Sequence, residues 1–161
     1  IGQVAGQANP WLPTDRTAAL GGALQAWLAG ADALDEGKPT MEAMWEYVRA
    51  LATDQGARQA YAYSLAAAIL NMDTTRLEGL FKSGLLDTYF LSCLSRSRRV
   101  REDFLDTFTR SLKAIGRPGS VVTWHGMLRE ARRLAALYLA VPLRFDRSEA
   151  MTWQEKVLKS W

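Results

Sequence analysis

At 161 residues, 48% of them hydrophobic and 23% charged, the chain has the length of one domain and enough apolar material to bury a core without disulfides or metals, which excludes a disordered chain. One cysteine, Cys93, excludes an intrachain disulfide and fits a reducing compartment, so the expected location is cytoplasmic. The formal net charge of +3 conceals a division: residues 1–95 hold 6 basic and 10 acidic groups, whereas residues 96–161 hold 14 and 7.

Residues 1–13, rich in Gly, Gln and Pro and without period, read as an N-terminal arm, and Gln3, Gln7 and Asn9 interrupt anything resembling a secretory leader. Residues 14–161 read as a single helical domain with a basic C-terminal half, because apolar residues recur at helical spacing nearly throughout. The expected fold class is therefore all-α, a bundle of about six to eight helices. The first helix starts at Thr14 or Asp15 and carries Leu20, Leu24, Trp27 and Leu28 on one face. Gly21-Gly22 inside it implies either an interruption or a close approach by another backbone.

Thr40 is the expected cap of a second helix with Met41, Met44, Trp45, Val48 and Leu51 or Ala52 in its stripe, and a third helix runs from about Gly56 to Met72. In the third, Ala60, Ser64, Ala67 and Ala68 make a small-residue face that admits a close neighbour, while Tyr61, Leu65 and Leu70 supply bulk. Thr75 and Glu78 have capping-box spacing for a short fourth helix ending at Ser83-Gly84. Leu85 to Leu94 resumes as a helix, and Phe104, Leu105, Phe108, Leu112 and Ile115 mark another, ended by Gly116-Arg117-Pro118-Gly119. Two more follow, over about Val122 to Ala140 and from about Ser148 onward. The longest apolar run, Ala60 to Leu70, falls short of the roughly 20 residues a membrane-spanning helix needs.

Reactive chemistry is sparse. One His and one Cys are too few for the familiar zinc patterns, no phosphate-binding glycine loop is present, and Cys93 with His125 has no local nucleophile signature. Glu42 and Glu46 share a helix face, but no further acid or His joins them, so a solvated face is the better reading. The expectation is a protein that is not an enzyme and takes no metal or other cofactor.

What the basic half offers is arginine. Arg96, Arg98, Arg99 and Arg101 crowd a helix junction beside Ser95 and Ser97, and Arg129, Arg132 and Arg133 lie on one side of a helix. Guanidinium forks match phosphate oxygens, so these seven residues form the candidate nucleic-acid-binding set, against the alternative of an ordinary solvated surface. No base-reading motif accompanies them, which points to backbone contact, with RNA and DNA equally open. Trp153, Val157 and Trp161 recur every four residues and form either a core face or a protein interface.

Two stretches carry a family resemblance. Met44-Trp45-Glu46-Tyr47-Val48 with Gly56-Ala57-Arg58, and Phe104 to Ile115 followed by Val122-Thr123-Trp124-His125-Gly126-Met127-Leu128-Arg129, resemble the small helical subunit of CRISPR Cascade-type effector complexes. That resemblance implies a helical bundle stacked beside other subunits, an antiviral defence role, and a basic face that supports guide RNA and displaced DNA. On it, Arg98, Arg99, Arg101, Arg129, Arg132 and Arg133 are the strand-facing candidates. The sequence thus predicts a non-catalytic subunit binding nucleic-acid backbone inside a larger complex, the competing class being a protein-interaction adaptor in a secretion, conjugation or phage-type assembly.

Overall fold

The computed structural model describes residues 17–37, 39–95 and 116–160. Among them the chain is all-α and contains no strand, as the helical periodicity predicts. The elements are α1 (Thr17–Asp35), α2 (Trp45–Ala50), a π-helical segment π1 (Leu51–Gly56), α3 (Ala57–Leu70), α4 (Thr74–Lys82), α5 (Thr88–Ser95), α6 (Pro118–Leu139) and α7 (Arg147–Leu158).

The expected break between the second and third helices does not occur. Ala50, Leu51, Gly56 and Ala57 all keep right-handed helical dihedrals, so α2, π1 and α3 form one rod. Gly56, read from sequence as a boundary, sits at φ −57° inside it. Side chains serve carbonyls where the wider π turn loosens the backbone ladder: Thr53 Oγ1 donates to the Arg49 carbonyl at 2.9 Å, and Arg58 Nε donates to that of Asp54 at 2.7 Å.

Helix α3 is the central element, buried at Ala57, Ala60, Tyr61, Ala62, Ser64, Leu65 and Ala66. Its most extensive contact is with α6. The main apolar cluster joins Tyr61 and Leu65 of α3 to Leu80 of α4, Phe90 and Leu94 of α5, and Trp124, Leu128 and Ala131 of α6. Phe90 and Trp124 meet at its middle with ring centroids 4.6 Å apart, in the tilted geometry that ring quadrupoles favour. A smaller cluster gathers Trp45, Ala52, Val141 and Ala150, with Phe145 and Trp153 against it. There the Trp153 indole donates at 2.8 Å to the Leu137 carbonyl, one of the α6 C-terminal acceptors left without an intrahelical donor. The Trp45 indole donates at 2.9 Å to the Pro142 carbonyl just beyond.

Caps follow aspartate. Asp73, Asp87 and Asp146 accept from the backbone N–H groups of Arg76, Phe90 and Glu149 at 2.9, 2.7 and 2.9 Å. The expected Thr75/Glu78 capping box is therefore corrected: Asp73 holds the extended cap position, and Glu78 pairs with Lys82 instead. Pro118 occupies the first turn of α6, where its missing N–H costs nothing, so this helix begins about four residues earlier than predicted.

Helix α1 packs by its small residues. Gly22, Ala26 and Ala33 are buried, whereas Leu20, Leu24, Trp27, Leu28 and Leu34 are 48–69% exposed. Its bulky stripe faces solvent and its small residues face the protein. Gly21-Gly22 does not interrupt it: the helix is continuous, and a Cβ on Gly21 would make an ordinary contact at 3.5 Å with Nε2 of the Gln55 side chain, not with a backbone.

Close approach decides Gly56, where an added Cβ would come within 2.6 Å of the Tyr138 ring. Gly56→Ala is expected to destabilise by about 1–2 kcal/mol in urea titration, the overpacking outweighing the gain in helix propensity. In a Tyr138→Ala background the same change should become neutral or stabilising, the coupling being read from the double-mutant cycle. Gly126→Ala, on the open face of α6 with nothing within 4 Å of the new Cβ, should stabilise by about 0.5–1 kcal/mol.

Candidate nucleic-acid interface

Arg129, Arg132 and Arg133 all stand exposed on α6. The reason is periodic: Trp124, Met127, Leu128, Ala131, Leu134 and Ala135 turn inward, so the residues between them turn out. His125, Arg129 and Arg132 follow one another along this outer stripe, spanning about 10 Å of helix axis. Arg133 is engaged differently from its neighbours. Its Nε and Nη2 donate to the two carboxylate oxygens of Glu130 at 2.9 and 2.6 Å, a two-point contact that holds the Glu130 carboxyl below the usual carboxylate range. Glu130 thus holds the Arg133 guanidinium at two points.

The two halves of the chain treat their cations unequally. Arg49, Arg58, Arg76 and Lys82 are each paired one helical turn away, with Glu46, Asp54, Asp73 and Glu78. In the C-terminal half Arg133 and Lys159 are paired in the same manner, but Arg117, Arg129, Arg144, Arg147 and Lys156 make no ion pair with a described residue. Among the described residues, contact ion pairs are thus the rule for cations before residue 95 and less general after residue 116.

Arg132 also acts inward. Burial in the α3 core pushes the Tyr61 phenol up to about 12, and the Arg132 charge pulls it back in part. The candidate surface and the core beneath it are therefore electrostatically linked.

Arg96, Arg98, Arg99, Arg101 and Trp161 lie outside the described residues. Trp153 is half-buried, stacked edge-on to Trp45 with centroids 6.5 Å apart, and its indole is committed to Leu137; Val157, also half-buried, follows on the next turn of α7. A shallow cleft of about 350 Å³ lies beside them between the end of α6 and α7, lined by Leu137, Pro142, Thr152, Trp153 and Lys156. Cys93 is buried in the main apolar cluster while His125 is exposed, Glu46 is drawn to Arg49, and among the described residues no three His, Cys, Asp or Glu side chains gather as a metal site would need.

No protein-family model, curated protein or solved structure matches the chain. Among the described residues no helix is long and apolar enough to cross a membrane.

The Tyr61 shift has a pH consequence. Its folded pKa is raised, so the stability it contributes is complete below about pH 10 and is lost as pH rises towards 12, by up to roughly 2–3 kcal/mol at 1.36 kcal/mol per pH unit. Urea midpoints measured from pH 9 to 12 should fall less steeply for Tyr61→Phe than for the natural chain.

Proposed function

We propose that the protein is a non-catalytic helical subunit that binds nucleic-acid backbone through exposed arginines of its C-terminal half, within a larger complex. The observation that carries this reading is the line of exposed arginines on the outer face of α6, Arg129, Arg132 and Arg133, in the half of the chain that holds 14 basic and 7 acidic groups. Exposed guanidinium groups present planar donor forks to solvent, and a phosphate offers the matching acceptors. No base-reading motif accompanies the outer stripe, so contact is with phosphates and tolerant of sequence. The resemblance to Cascade-type small subunits supports the same assignment and makes Arg98, Arg99 and Arg101 further candidates. A lone cysteine, buried in the core, agrees with a cytoplasmic setting.

The exposed apolar face of α1 favours a second role alongside the first, as a subunit that docks on protein.

Fluorescence anisotropy with labelled single-stranded RNA, single-stranded DNA and duplex DNA tests the reading. Three phosphate contacts should weaken binding about 20-fold on single strands and 40-fold on duplex between about 50 and 200 mM salt. Arg129→Glu with Arg132→Glu should flatten that slope, with helical circular dichroism unchanged. Absence of binding to all three probes by the folded chain, or binding indifferent to the double substitution, overturns the proposal.

A further inference from the structure

We propose that α1 is a self-association helix, pairing antiparallel with the α1 of a second copy of this chain. Leu20, Leu24, Trp27, Ala31 and Leu34 follow one another at spacings of four, three, four and three, the alternation that keeps one seam of a helix in register with a partner helix. Gly22, Ala26 and Ala33, which fasten α1 to the protein, lie on the opposite side, so the seam points outward along the whole helix. Leu28 widens it. A continuous stripe of large apolar side chains is uncommon on a solitary protein surface.

Charge and shape select a second copy, and its direction. From Thr17 to Ala31 the helix carries no charge, while Asp32 and Asp35 stand in its last turn with Glu36 directly after, exposed and without an ion pair to any described residue. These acids sit at the negative end of their own helix dipole, where they are unfavourable. An antiparallel copy brings its uncharged Thr17 turn, the positive end of that helix's dipole, alongside Asp32 and Asp35. In that register Leu24 meets the partner's Trp27 twice, and Leu20 meets the partner's Ala31 twice. Gly30, where a Cβ would meet nothing within 4 Å, leaves room beside Ala31 for the opposing side chains. One patch therefore complements itself about a two-fold axis, the commonest symmetry of soluble oligomers. Aligned parallel, the same helices would set their acidic ends against each other.

This inference is independent of the arginines, and its test reads mass rather than nucleic-acid binding. Sedimentation equilibrium of the full chain over about 1–200 µM should show a monomer–dimer equilibrium in the micromolar range. Trp27→Glu, and separately Leu24→Gln, should reduce it to monomer at every concentration with unchanged helical content, both residues being exposed. Asp35→Lys improves the isolated helix dipole yet should weaken the dimer several-fold. A single-chain mass throughout the range, a dimer untouched by both seam substitutions, or a dimer tightened by Asp35→Lys overturns the proposal. The first outcome with the seam intact would assign the face to a different protein.

Discussion

The packing of α3 against α6 is the constraint on which the other elements depend. Two helices approach this closely only where side chains are small, and α3 supplies Ala57, Ala60 and Ser64 for that purpose while Gly56 admits the Tyr138 ring. Around the shared seam, Tyr61 and Leu65 from one helix and Trp124 and Leu128 from the other create a floor onto which Leu80, Phe90 and Leu94 settle. Helices α4 and α5 are short and held at their starts by aspartate caps. They owe their positions to that floor, since helices of eight or nine residues have little stability alone.

Much of this was legible in the residues. Period alone separates an all-α chain from other classes, and the small face of the Ala60 helix announces a close neighbour. Less legible was how apolar residues divide between inside and outside. On α1 both faces are apolar, one bulky and one small, and hydrophobicity cannot rank them; only the geometry of the docking site shows that the small face fits. Local competition was equally hidden. Thr75 and Asp73 both offer cap chemistry within three residues, and the extended backbone at Asp73 settles the choice. In the candidate interface the exposure of Arg129, Arg132 and Arg133 follows from the period, but the two-point capture of Glu130 depends on side-chain conformations that spacing does not specify.

Charge is distributed by a different logic from packing. Within α2 to α4, every described cation finds a carboxylate one turn away, so that surface is nearly self-screened at contact distance. From α6 onward the same rule is broken repeatedly. An uneven distribution of this kind bears on the field around a protein rather than on its fold.

The π segment has a geometric consequence for the rod that contains it. A regular α-helix turns each successive residue by about 100°, and a π turn takes in an extra residue, so every position downstream is re-phased by about that amount. Trp45 and Ala52 serve the smaller cluster and Tyr61 and Leu65 the larger one, yet extrapolated along an uninterrupted α-helix these two faces would stand roughly back to back. Leu51–Gly56 works as a phase shifter between them. One length of helix thereby presents its two apolar faces about a quarter turn apart instead of opposed, so that one cluster meets α6 and the other the chain that follows it.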